Sequence, residues 1–407
     1  MSHPGFDHAT LARIAPTLAE VVDAGDLSGA VTLVYRRGAI AQVDCIGQRD
    51  IGAGLPMQRD TIFRIASMTK PVTSVAALML VEEGRLALDD AIDRWLPELA
   101  GARVLRDPQG ALDDTVPTHR SITVDDLFTH RAGLAYAFTS IGPVAQAYAQ
   151  ALPPGLAPDA WLQALGSLPL SYQPGERFHY SHATDVLGLL VQRVAGVPLR
   201  EFLRDRIFGP LGMADTDFHV PAGKRGRAAK VYRANADGAL EVLPFPDLDA
   251  PPPFCSGGGG LVSTVDDYLQ FARMLLQGGS LDGTRLLTPE TVRLMATNRL
   301  TEAQRAITFM GLPFWTGQGF GLGVSVVTDP EKHAWMGVGS AGAFGWPGAF
   351  GTWWLADPAK DLVLIYMIQN STPLAPDMAS QLATGQRMGA RAALPTFQRL
   401  AYAALRD

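Results

Sequence analysis

Ser67 and Lys70 are the first residues whose types and spacing could do chemistry. They stand in Ser67-Met68-Thr69-Lys70, where an apolar run ends and a helix is predicted to begin. Residues three apart share a helix face, so the lysine amine can fold back to the serine hydroxyl. A hydroxyl becomes a useful nucleophile only when a neighbouring base takes its proton. The free N–H groups and dipole of a helix N-terminus would favour negative charge developing at Ser67. Pro71 falls in the first turn, where no intrahelical partner is lost, and Val72 to Val81 carries the helix on to a stop at Gly84. Lysine is scarce: Lys70, Lys224, Lys230, Lys332 and Lys360 are all there are, and only Lys70 has a serine three places before it. An ordinary helix start with a solvated lysine fits the same four residues.

Two later stretches could complete a site. Tyr180-Ser181-His182 lies on the turn into an amphipathic helix whose stripe is Val186, Leu187, Leu190 and Val194, ended by Gly196. A phenol acts as a base only where a cation lowers its pKa, and Lys70 would be that cation. A packed tyrosine with a satisfied hydroxyl is the plainer alternative. His179 and His182 are three apart, but no carboxylate or third histidine stands at a helpful spacing, so no metal and no cofactor are expected. In Gly345-Trp346-Pro347-Gly348-Ala349-Phe350-Gly351, small residues let a strand edge approach a bound group. A backbone N–H there, opposite that of Ser67, would make an oxyanion hole. A glycine-rich bend held by aromatic packing fits equally.

The elements that must position these pieces read as an α+β fold. Residues 8–24 form an amphipathic pattern with Leu11, Ile14, Leu18, Val21 and Val22 on one face. Gly29 to Tyr35 and Ala41 to Gly47 read as a hairpin, and Gly319 to Val327, Val338 to Phe344, Thr352 to Ala356 and Leu362 to Gln369 as four further strands. Both chain ends would therefore build one antiparallel sheet flanked by helices. Residues 1–84 and 231–407 would form that domain, 85–230 a mostly helical insertion, with the site in the cleft between them. Gly257-Gly258-Gly259-Gly260 matches neither phosphate-binding glycine pattern and reads as a tight backbone passage.

The 407 residues are 47% hydrophobic and 18% charged, with a net charge of -6. That suits a globular protein with a large core and argues against nucleic acid as a partner. No apolar run is long enough to span a bilayer. Met1 to Asp7 lacks the pattern of a secretory signal, which makes the cytoplasm the default. Cys45 and Cys255 sit in no metal or redox spacing and read as buried small hydrophobes.

In this order, the pieces resemble the serine β-lactamase and penicillin-binding protein superfamily, and within it the class C β-lactamase-like carboxylesterases, or family VIII esterases. The resemblance runs through Pro56-Met57, Thr61 to Lys70, Ile122 to Leu134, Pro174-Gly175 to His182, the glycine run with Leu261 to Thr264, and Trp346 to Pro358. It implies Ser67 as the acylated nucleophile, Lys70 and Tyr180 as the proton-transfer pair, and the N–H groups of Ser67 and Ala349 as the oxyanion hole. His182 departs from the family's usual Asn. Trp346-Pro347-Gly348 replaces the Lys-Thr-Gly whose cation holds a substrate carboxylate in lactamases and peptidases. Trp-x-Gly is the esterase pattern. The expected activity is hydrolysis of esters of short to medium acyl chain. β-Lactamase or D-alanyl peptidase activity, acyl transfer to an alcohol, and a non-catalytic scaffold stand as alternatives, and a homo-oligomer is left open. Trp346, Gly348, His182, Tyr136, Phe138 and Phe344 are the candidate substrate contacts, with Phe309, Phe314 and Trp315 as further pocket aromatics.

Overall fold

A strand that is apolar on both faces has to be covered on both. Gly29–Arg36 (β1) is such a strand, buried at every position. The computed structural model, which describes residues 5–246, 249–372, 374 and 389–406, places it inside an eight-stranded antiparallel sheet. The other strands are Ala39–Asp50 (β2), Leu55–Pro56 (β3), Gln318–Phe320 (β4), Ser325–Val327 (β5), Phe344–Gly345 (β6), Trp353–Asp357 (β7) and Leu362–Met367 (β8). Their spatial order is β4-β5-β6-β7-β8-β1-β2-β3, so the two ends of the chain meet where β8 pairs with β1.

The register there, Leu33 opposite Ile365 and Val34 opposite Leu364, sorts the side chains by alternation. Ala30, Val34, Leu364 and Tyr366 face one layer, with Ile14 and Leu18 of Ile14–Asp23 (α1). Phe397 and Ala401 of Gly389–Ala403, the C-terminal helix, join the same layer. Val31, Leu33, Ile365 and Met367 face the other layer, with Thr69–Glu82 (α2) and Val265–Leu276 (α3). Every residue of α2 from Thr69 to Leu80 is buried, as expected of a helix apolar nearly all round. Between residues 85 and 230 the elements are mainly helical. No helix among the described residues is long and apolar enough to cross a membrane.

Several sequence expectations need correction. The helix read over 8–24 is two helices, His8–Leu11 and α1, and Val21 and Val22 are only half-buried. The strand read over 319–327 is the β4–β5 hairpin. Its turn is hidden in an apolar stretch because Leu322 and Val324 are buried beside it. Of 338–344 only Phe344 enters a strand, since Gly339 and Gly342 take left-handed backbone that no strand accepts. Cys45 is exposed because β2 lies near the sheet margin and is only partly covered, and Cys255 is half-buried in the loop before the glycine run.

Candidate active site

A local strain precedes the serine. Ala66 has φ +44°, a region costly for any residue with a Cβ, and it opens the 3₁₀ turn Ala66–Met68 that runs straight into α2. The turn holds Ser67 at the mouth of the helix and sends Lys70 one turn on. Phe63–Arg64, just upstream, pairs antiparallel with Val262–Ser263, and Ile65 N–H donates to the Leu261 carbonyl at 3.1 Å. This ladder carries the glycine run up to the serine. Tyr180 arrives from the other side. It precedes Ala183–Ala195, a helix that packs against α2.

Two groups meet at Ser67 Oγ. Tyr180 OH donates to it at 2.7 Å, and Lys70 Nζ donates to it at 3.2 Å. The lysine amine also lies over the Tyr180 ring, 4.6 Å from its centre. Its other two hydrogens go to the Gly258 carbonyl at 2.6 Å and to Tyr136 OH at 3.3 Å. Trp346 Nε1–H donates to Tyr180 OH at 3.1 Å. The tryptophan is thus more than an apolar wall, because its N–H would support negative charge on the phenol oxygen.

Behind Lys70 lies a group the sequence did not reveal. Asp185 is 3% exposed and accepts from His182 Nδ1 at 2.8 Å, Ser256 Oγ at 2.5 Å, Gly258 N–H at 2.9 Å and Tyr136 OH at 3.4 Å. Burial alone would raise its pKa. The His182 hydrogen bond and charge, the Lys70 charge and the Ser256 hydroxyl outweigh burial and hold the carboxyl at about 2. Tyr136 is pushed far above the usual phenol range by burial and then by the Asp185 charge, so it stays a neutral link between carboxylate and amine. His130, fully buried, lies 4.7 Å from the Tyr180 ring, and its Nδ1 accepts the Ser181 N–H at 3.3 Å. Burial and the nearby Lys70 charge push its pKa well down, which keeps it a neutral acceptor.

The Asp185 carboxyl ties stability to pH. Its folded pKa is depressed from 3.8 to about 2, so the stability it contributes is present above pH 4 and lost as pH falls toward 2. At ~1.4 kcal/mol per unit that is about 2 kcal/mol. Asp185→Asn is expected to unfold at lower urea than the wild type at pH 7, with the gap narrowing by about that much toward pH 2. Equal pH dependence in both chains would contradict the assignment.

Gly348 lies where a Cβ would be 2.4 Å from the Ile65 carbonyl and 2.2 Å from Thr352 Oγ1. Only glycine lets this strand edge come so close to the serine turn. Thr352 Oγ1 fastens the approach by donating to the Ile65 carbonyl at 3.2 Å. Ala349 follows, and both it and Ser67 line a cavity of about 160 Å³. Its remaining walls are Tyr180, Trp346, Pro347 and Gly348, with Phe138, Phe309, Met310, Leu312, Phe314 and Leu374.

The structure therefore brings Ser67, Lys70, Tyr180, Trp346, Gly348 and Ala349 together, with Phe138, Phe309 and Phe314 around them. It does not bring Phe344 to the cavity. That ring is 2% exposed and packs edge-on to Trp354 in the layer below the sheet. Trp315 is a second row, packed on Phe178 and Phe309. Tyr136 turns its hydroxyl to Lys70 and Asp185. His182 sits behind Tyr136, ring centres 4.2 Å apart, bonded to Asp185. His179 pairs with Ser140 instead, 3.2 Å away. Among the described residues no cluster of three or more His, Cys, Asp or Glu is placed to hold a metal ion.

An antiparallel sheet with flanking helices, and a serine and lysine on one helix start met by a tyrosine from the helical part, define the β-lactamase/transpeptidase-like fold. The chain belongs to the beta-lactamase family, whose model matches residues 14–384. It is 53% identical to Protein Rv1367c of Mycobacterium tuberculosis (strain ATCC 25618 / H37Rv) over 96% of this chain and 98% of that protein. It is 32% identical to Esterase EstB of Burkholderia gladioli over 89% and 91% of the two chains. Among solved structures it superposes on EstCE1, a hydrolase with promiscuous acyltransferase activity, with TM-score 0.76 and 26% identity over 95% of this chain and 98% of that one. The family is one of serine hydrolases that includes esterases and acyltransferases, as the resemblance implied.

Proposed function

We propose that this chain is a carboxylesterase that passes the acyl group of a short or medium-chain ester first to Ser67 and then to water. The observation that carries this reading is the meeting of Lys70 Nζ and Tyr180 OH at one serine oxygen, on the wall of a small apolar cavity. Ser67 attacks the ester carbonyl while its proton passes to the Lys70–Tyr180 pair, which in the reacting form carries one proton fewer than the arrangement in which both groups donate to Ser67 Oγ. Both Lys70 Nζ and Tyr180 OH are within reach of that proton, and either can serve as the base. The oxyanion is held by the N–H groups of Ser67 and Ala349, each contributing about 10²–10³ in rate. The proton returns to the alkoxide as the alcohol leaves. Water then attacks the acyl-serine by the same route, giving the acid and restoring the hydroxyl. The same reading divides the chain into 1–84 with 231–407, and 85–230.

Trp346 weighs against a β-lactam or peptide carboxylate as substrate, since indole offers no cation to hold it. Acyl transfer to an alcohol shares the acyl-serine and is the second reading, favoured by the described activity of EstCE1. The test is turnover of a short-chain aryl ester against nitrocefin, with product analysis in added alcohol. We expect kcat/KM for the ester to exceed that for nitrocefin by about 10²-fold or more, as for a site that lacks its substrate's ionic partner. Nitrocefin turned over as fast as the ester would overturn the reading.

A further inference from the structure

Residues Phe309 to Leu312 close a tight hairpin turn at the mouth of the cavity. Phe309 N–H donates to the Leu312 carbonyl at 3.0 Å, and Leu312 N–H to the Phe309 carbonyl at 3.1 Å. The two residues between them, Met310 and Gly311, have φ +53° and +76°. Two left-handed residues in a two-residue turn favour Asn, Asp or Gly, and glycine fills the second place as expected. The first is held by a long side chain that this backbone disfavours. Strain of this kind persists where the surrounding structure imposes it, and it gathers at sites that use it. Met310 is half-buried and lines the cavity that holds Ser67.

The other walls leave little to adjust. Phe309 packs on Phe314 and on Tyr180, with ring centres 5.1 and 5.7 Å apart, and Phe314 packs on Trp346 at 6.1 Å. These rings brace one another and the proton-transfer phenol. A thioether chain is unbranched and adaptable, and it fills what rigid rings leave open. The cavity is small, about 160 Å³, so a single side chain in its wall bears on what it can accept.

We infer that Met310, held on strained backbone, sets the length of acyl chain this site accepts. The inference rests on the ester-hydrolysing reading of the same site. Aryl acetate, butyrate, hexanoate and octanoate share one leaving group, so their kcat/KM values report the acyl side alone. In Met310→Gly the ratio of octanoate to acetate is expected to rise at least about tenfold, since one methylene in an apolar pocket is already worth that much. Met310→Leu keeps the bulk and should stay within about threefold of the wild-type ratio. Met310→Ala frees nearly the same space on the strained backbone, and it keeps the test readable if the glycine variant does not fold. Met310→Gly should also unfold at a higher temperature than Met310→Ala. An unmoved ratio in both small variants overturns the assignment of Met310 while leaving ester hydrolysis standing. A wild type that hydrolyses none of the esters overturns both.

Discussion

Ser67→Ala lowers kcat for an aryl ester by about 10⁴-fold or more, with KM little changed. Removing the nucleophile of an acyl-transfer site leaves only the binding and oxyanion contributions, and losses of this order follow. The substitution removes one oxygen from a position held by Tyr180 OH at 2.7 Å and Lys70 Nζ at 3.2 Å. Both partners keep other bonds, Tyr180 to Trp346 and Lys70 to Gly258 and Tyr136, so the site keeps its shape. The variant should therefore fold as the wild type does. Steady-state kinetics with a matched circular dichroism spectrum checks it, and wild-type turnover in Ser67→Ala would dismiss the serine.

Lys70→Met gives the second large loss, about 10³-fold in kcat, the scale of a positioned acid–base group. Methionine fills a similar length without charge or donors. The Gly258 carbonyl then loses its 2.6 Å partner in a buried position, so the variant should also lose about 1–3 kcal/mol of stability. Tyr180→Phe, which leaves the ring in place, separates the two effects. It keeps the packing of Tyr180 on His130 and Trp346 and removes only the oxygen. A pH–rate profile for each variant is the decisive reading, because a profile that changes when either group is removed marks that group as part of the proton transfer. A Lys70→Met enzyme with an unchanged profile would assign the proton transfer elsewhere.

Much of the site could be read from short-range chemistry. The spacing of Ser67 and Lys70 encodes a helix turn, and the order of the motifs carried Tyr180, Trp346 and Gly348. The central strand β1 was legible because it is rich in β-branched and apolar residues and ends at the Arg36-Arg37-Gly38 turn. What stayed hidden depends on side chains meeting across the fold. Asp185 lies five residues after Tyr180 in an ordinary helical stripe, and nothing in that stripe says that four donors converge on it. The glycine run reads as a close passage, but that Gly258 turns its carbonyl to Lys70 follows only from the ladder beside Ile65. Phe344 and Phe314 look alike as sequence. One lies under the sheet and the other walls the cavity, because strand alternation and loop path decide the side.

The central claim is a covalent one, and the mass of the intact chain tests it most directly. After brief exposure to a serine-reactive fluorophosphonate, and separately during turnover of a slowly deacylating ester, the wild type should gain one adduct. Peptide mapping should place that adduct on Ser67, and Ser67→Ala should gain none. An adduct on another residue, or ester turnover with no adduct from either reagent, would contradict the account.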